Sequence, residues 1–168
     1  MEAARAALFA LNPEVNVFPI KKRIEANELQ SLLADVDVVL DCSDNFATRH
    51  ALNRACVKFR KPLVSGAAIR FDAQVAVFDL RKPDAPCYAC LYPEEGEIEE
   101  AQCSTMGVFA PLTGVVGALQ AMEALKLLTG AGETLNGRLL LLNAKGAEWR
   151  AVRVTQDPSC AVCGTTGR

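Results

Sequence analysis

The sequence predicts an α/β domain with an antiparallel extension and a four-cysteine site, and three observations carry that prediction. Up to residue 66, β-branched apolar runs of strand length alternate with stretches of helical period, the order of a parallel sheet with helices on its faces. After Gly66, extended segments follow one another with no helix-length pattern between them. Two Cys-x-x-Cys pairs, Cys87 with Cys90 and Cys160 with Cys163, frame the second half. The 168 residues are 51% hydrophobic and 23% charged, enough for one domain with a sizeable core.

The elements follow in order. Residues 3–11 predict the end of a helix, stopped by Asn12 and Pro13, and 15–20 predict a short apolar strand. A short helix over 28–34 leads to the run 36–40 (VDVVL), which has the β-branched character of a strand inside a parallel sheet. Asp41-Cys42-Ser43-Asp44-Asn45 is a turn rich in capping residues, and a helix follows over 46–60. On that helix Leu52, Ala55, Cys56 and Phe59 share one apolar face. Strands are expected over 62–66 and within 68–80, most clearly 74–78. Residues 81–104 predict a long acidic loop of the kind that is usually functional. A long apolar helix over 112–128 ends at Gly130 and Gly132, and 138–143 with 148–154 predict a hairpin around Lys145-Gly146.

Composition excludes several classes. Lys plus Arg number 18 against 20 Asp plus Glu, a formal net charge of −2. That balance lacks the basic footprint of a nucleic-acid binder. Thr105 to Met122 carries no charge, yet it contains Gly107, Pro111, Gly114 and Gly117 and runs into Glu123 and Lys126, so no membrane span is expected. The opening residues do not form a secretion-signal pattern, and spaced Cys-x-x-Cys pairs suit metal better than a disulfide framework, so the expected compartment is the reducing cytoplasm.

Four thiolates in two Cys-x-x-Cys turns make a closed tetrahedral site for structural Zn²⁺, with no open position for catalysis. The competing reading is a redox dithiol or simply buried thiols. Asp41, Asp44 and Asn45 stand where a strand ends and a helix begins, the carboxyl edge at which open α/β sheets bind ligands. Two carboxylates there suit Mg²⁺ with substrate phosphates, while Ser, Asp and Asn also serve as ordinary helix caps. Arg49 is placed near phosphates, and Cys103, ahead of the apolar helix, is a candidate reactive thiol. Cys42 and Cys56 are expected in the core, His50 on a helix surface, and Gly114 and Gly117 where the long helix packs on the sheet.

Taken together, Leu11-Asn12-Pro13, the segment Val38 to Phe46 with Thr48-Arg49, Cys87-Tyr88-Ala89-Cys90, Cys103 to Val108, Gly114 to Leu128, and Cys160-Ala161-Val162-Cys163-Gly164 resemble the ThiF/MoeB/HesA family, bacterial relatives of ubiquitin-activating enzymes. The resemblance implies a Rossmann-like, ThiF-type sheet and a homodimer. It implies ATP-dependent adenylation of the C-terminal Gly-Gly carboxylate of a ubiquitin-like sulfur carrier, then thiocarboxylate formation from a persulfide sulfur donor, for thiamine or molybdopterin synthesis. Asp44 matches the family's Mg²⁺-ATP aspartate, with Asp41, Asn45 and Arg49 beside it, and Cys103 matches a cysteine some members use covalently. Cys87, Cys90, Cys160 and Cys163 match its structural zinc ligands. Residues 1–168 are expected to form a single domain equivalent to the C-terminal two thirds of a member, without the N-terminal GxGGxG nucleotide-binding part. Two alternatives stand beside adenylation: a non-catalytic module that binds the carrier or a family partner, and a zinc-stabilised thiol redox protein.

Overall fold

A computed structural model describes residues 1–94 and 106–164. Its elements are α1 (Glu2–Leu11), α2 (Ala26–Leu33), β1 (Val39–Asp41), α3 (Phe46–Phe59), β2 (Leu63–Ile69), β3 (Asp72–Phe78), α4 (Tyr88–Leu91), α5 (Ala110–Thr129), β4 (Arg138–Asn143) and β5 (Glu148–Arg153). The five strands form one sheet in the order β1-β2-β3-β4-β5. β1 and β2 run parallel through the crossover helix α3, with Val39 opposite Leu63 and Asp41 opposite Ser65. Every later pair is antiparallel, so the expected α/β sheet with an antiparallel extension is what the chain forms.

Strand periodicity places a core on each face. Ala76 and Phe78 of β3 meet Leu63, Ala55, Cys56 and Leu33 on one side, beneath α2 and α3. Val75 and Val77, one residue out of phase, join Val64 beneath Leu112, Val116 and Leu127 of α5 on the other. Asn45 caps α3 by accepting the Thr48 backbone N–H at 2.8 Å, and Arg60, at φ 51°, closes it in the left-handed region. α5 starts with a proline in its first turn and ends on Gly130 at φ 71°. By length and composition α5 could cross a membrane, but here it lies along β2 and β3, with Gln120 bonded to the Asp41 and Val64 carbonyls of β1 and β2 and Glu123 buried where it accepts the Leu135 backbone N–H.

Four expectations change. Residues 15–20 form no strand, because no described strand lies alongside to supply ladder partners, and Phe18 is 85% exposed. For the same reason the run 36–40 contributes only β1, a three-residue edge strand paired on one side. The loop over 81–104 contains α4, a single helical turn wound by the first Cys-x-x-Cys pair. Gly114 and Gly117 do not face the sheet: a Cβ on either would meet no atom within 4 Å. The close approach instead belongs to Gly66 of β2, where a Cβ would stand 2.4 Å from the Gln120 carboxamide and 2.7 Å from Val116.

Candidate functional site

The parallel pair ends at a cavity of about 540 Å³. Its wall includes Cys42, Ser43, Asp44, Asn45 and Phe46 from the β1–α3 turn, Gly66 to Ile69 from β2, and Val116, Gly117 and Gln120 from α5. This is the carboxyl edge of the parallel strands, where the crossover helix begins and an α/β sheet leaves room for a ligand.

The turn is held from below by a buried ion pair. Arg49 Nη1 donates to Asp41 Oδ2 at 3.1 Å, with the Asp41 and Arg49 side chains 1% and 7% exposed. Ser65 Oγ accepts from Arg49 Nη1 and donates to the same Asp41 oxygen, both at 3.1 Å. Arg49 Nη2 donates to the Gly66 carbonyl at 3.1 Å and to the Ser43 carbonyl. Asp41 Oδ1 accepts from the Ser43 backbone N–H at 3.0 Å and from its hydroxyl at 2.6 Å. Charges this deep persist only when paired and fully hydrogen-bonded, as these are.

The acidic turn thus divides its labour. Asp41 lies under the cavity rather than in its lining, with both carboxylate oxygens occupied. Arg49 reaches the lining, but its guanidinium is committed to the β1 and β2 ends. Asn45 caps the helix. Asp44 is the carboxylate of the turn left exposed in the cavity, its described contact being a 3.4 Å bond from the Asn45 side-chain amide; Asp72, also in the lining and exposed, accepts from the Asn143 amide at 2.8 Å.

Gln120 seals the opposite wall. Its Nε2 donates to the Asp41 carbonyl at 2.8 Å and the Val64 carbonyl at 3.2 Å, and its Oε1 accepts from the Cys42 thiol at 3.5 Å. Cys42 is exposed at the cavity rather than buried in the core as expected, because β1 ends one residue earlier and the chain turns outward there. Partial burial and the neighbouring Asp41 carboxylate push its thiol up from the ordinary range. Cys56 does lie in the core, and burial pushes it up to about 12.

His50 is also relocated: it is 8% exposed, stacked 6.1 Å from Phe46 and edge-on 5.4 Å from Tyr88. The aromatic residues of α3 and α4 cover it, and α4 is brought there by the first cysteine pair. Its Nδ1 stands 3.7 Å from Glu94, which also binds Arg54 at 2.8 Å. Cys103 lies outside the described residues.

The second centre lies further along α3, where Asn53 reaches Cys87. The sulfurs of Cys87, Cys90, Cys160 and Cys163 lie within 4.8 Å of one another, with Cys87–Cys160 at 3.7 Å, Cys90–Cys163 at 3.4 Å and Cys87–Cys90 at 4.0 Å. A tetrahedral ion with bonds of about 2.3 Å sets its sulfurs roughly 3.8 Å apart, close to the observed pairs, so the donor set suits a tetrahedral metal. The neighbouring Cys87 sulfur, together with the backbone N–H groups of Asp157 and Cys87, holds the Cys90 thiol below its ordinary range. Burial pushes Cys163 up to about 11.

Sequence reasoning located Asp44 and the four cysteines but passed over Gln120, Asn53 and Gly66. The signal for Gln120 was present: it and Glu123 are polar residues three apart in a largely apolar helix, and both are 2% exposed.

The family model for ThiF matches residues 1–162. The chain belongs to the ThiF family. It is 43% identical over 164 residues to the molybdopterin-synthase adenylyltransferase of Escherichia coli K12, covering 98% of this chain and 65% of that protein. The SAMP-activating enzyme E1 of Haloferax volcanii is 42% identical over 167 residues, covering 99% of this chain and 61% of that protein. The chain therefore spans just under two thirds of the length of these relatives. In fold it is similar to the crystal structure of E. coli MccB with MccA-N7isoASN, at TM-score 0.79 and 20% identity, covering 98% of this chain and 51% of that one.

Proposed function

We propose that this ThiF-family chain carries the carboxylate, cavity and zinc half of an ATP-dependent adenylyltransferase. Its substrate is the C-terminal Gly-Gly carboxylate of a ubiquitin-like sulfur carrier, in the molybdopterin rather than the thiamine branch. The observation that carries this reading is the free Asp44 carboxylate at the carboxyl end of the parallel pair, in the cavity floored by the Asp41–Arg49 pair. The 43% identity to a molybdopterin-synthase adenylyltransferase supports the reaction and the branch.

In the reaction a carrier carboxylate oxygen attacks the α-phosphorus of ATP, the bond to the bridging oxygen breaks, and pyrophosphate leaves. The outer sulfur of a persulfide donor then displaces AMP to form an acyl disulfide, and a second thiol attacks the donor's inner sulfur, releasing the thiocarboxylate and leaving a disulfide on the donor. Asp44 would hold Mg²⁺ together with the triphosphate, since Mg²⁺ favours one or two carboxylates plus substrate phosphates, and the ion would offset charge at the attacked phosphate. Asp41 and Arg49 act through position: they fix the Ser43 carbonyl and amide, and so the direction in which Asp44 leaves the turn. Asn45 anchors the first turn of α3 behind it. The apolar side chains of β2 and α5 line the cavity in which the acyl-phosphate product would form. Cys87, Cys90, Cys160 and Cys163 would hold a structural Zn²⁺, tying the C-terminal residues to α4. A homodimer and a covalent role for Cys103 belong to the same proposal.

The test is ATP–pyrophosphate exchange with carriers of the two branches, using this chain alone and joined to the N-terminal third of its E. coli relative. Exchange that requires the molybdopterin-branch carrier, and disappears in Asp44→Ala, is the expected result. No exchange from the joined protein would overturn the enzyme reading and leave the carrier-binding module.

A further inference from the structure

We infer that Asn53 is the positioning residue of the four-cysteine centre: its carboxamide donates an N–H···S bond to Cys87 and ties that ligand to the helix that carries the cavity residues. Asn53 is a fully buried amide on α3, 0% exposed, so its donors and acceptor find partners inside the protein. Its Oδ1 accepts the Tyr88 backbone N–H at 2.9 Å. That backbone group can only donate, which fixes the orientation of the carboxamide. The Nδ2 group is then directed at Cys87 Sγ, 3.5 Å away. One side chain therefore grips both the ligand sulfur and the peptide that follows it.

The other sulfurs are served differently. Cys90 accepts from the backbone N–H groups of Cys87 and Asp157, at 3.5 and 3.4 Å. Gln156 Nε2 stands 3.9 Å from Cys163. Among the described residues the N–H donor that reaches Cys87 is Asn53, and Cys87 is the most buried of the four, at 0% exposed. A sulfur with no access to water needs such a donor to carry charge as a ligand. Outer hydrogen bonds of this kind set ligand orientation and typically change metal affinity about 10- to 100-fold when removed.

The assignment also gives α3 a second purpose. Asn45, Arg49 and Asn53 follow at intervals of one helical turn: the first caps the helix, the second anchors the cavity floor, the third holds Cys87. Tyr88, whose amide Asn53 receives, contributes its own side chain to the cavity lining.

The inference rests on the zinc reading, and its test separates the two. The full chain is loaded with ¹¹³Cd²⁺ in place of zinc, and proton spectra are searched for a scalar correlation between the metal and a side-chain amide proton of Asn53, transmitted through Cys87 sulfur. Its presence is expected; a loaded wild-type protein without it overturns the inference, whatever any variant does. Asn53→Asp keeps an oxygen for the Tyr88 N–H and removes the donor to sulfur. It is expected to lower zinc affinity about 10- to 100-fold against a chromophoric chelator and to shift the sulfur-to-Co²⁺ charge-transfer band of the cobalt form. A folded Asn53→Asp protein with affinity within about twofold of wild type and an unmoved band overturns the inference. A wild-type chain that takes up neither zinc nor cadmium overturns the zinc reading itself.

Discussion

Arg49→Met is the sharpest perturbation of the cavity floor, because methionine preserves the apolar stem and removes the charge together with four hydrogen bonds. The guanidinium donates to Asp41, Ser65, Ser43 and Gly66, and Asp41 is 1% exposed. Without it, a buried carboxylate keeps the Ser43 and Ser65 donors but no counter-charge, and the Ser43 and Gly66 carbonyls each lose a donor. Removing one partner of such a pair costs about 3–5 kcal/mol. With a urea dependence of about 2 kcal/mol per molar, the unfolding midpoint should fall by roughly 1.5–2.5 M. Urea titrations followed by circular dichroism read this directly. Adding Asp41→Asn should recover part of the loss, since the neutral amide no longer needs a cation, so the double variant should be less destabilised than the two single losses summed. A single-variant midpoint within about 0.5 M of wild type, or strict additivity in the pair, would refute the argument that this ion pair holds the floor.

Three further outcomes follow from the same geometry. Cys87→Ser should abolish binding of about one zinc equivalent per chain and raise hydrogen exchange around Cys160 to Gly164, which the metal would hold against α4; unchanged metal content would contradict the ligand set. His50 should titrate below 6.5, because burial disfavours its charged form, and Glu94→Gln should lower it further by removing the carboxylate that pulls it upward. With the folded value below the unfolded one, this group contributes stability above pH about 6.5 that is lost as pH falls towards the folded value; an NMR titration midpoint at or above 6.5 would defeat the burial argument. Gly66→Ala should destabilise by about 1–3 kcal/mol, a fall in Tm of roughly 2–10 °C, because the new methyl would stand 2.4 Å from Gln120, and an unchanged Tm would show that α5 yields freely.

Local chemistry was legible where one segment carries the whole signal. The helix α3 announces itself by its capping turn and apolar face, the hairpin of β4 and β5 by its turn residues, and the four-cysteine cluster by its paired spacing. What escaped depends on neighbours distant in the chain. Asp41 looks like a ligand residue until Ser65, from the next strand, and Arg49 close around it. A lone imidazole on a helix gives no sign that Tyr88 will cover it, since that contact exists only because the cysteine turn folds α4 onto α3. The segment 15–20 has strand composition, but composition cannot provide the adjacent strand that a ladder requires.

The periodic placement of Asn45, Arg49 and Asn53 also bears on which changes of length this chain can survive. An α-helix turns about 100° per residue. Deleting or inserting one residue between Asn45 and Asn53 would swing everything beyond it by that angle. Either the Asp41 partner or the Cys87 partner would then point into the wrong layer. The reverse turn at Lys145-Gly146 joins two strands at the sheet margin and carries no such phase constraint. Length variation among homologues should accumulate there, and be strongly purged from the eight-residue interval between the cap and the cysteine clamp.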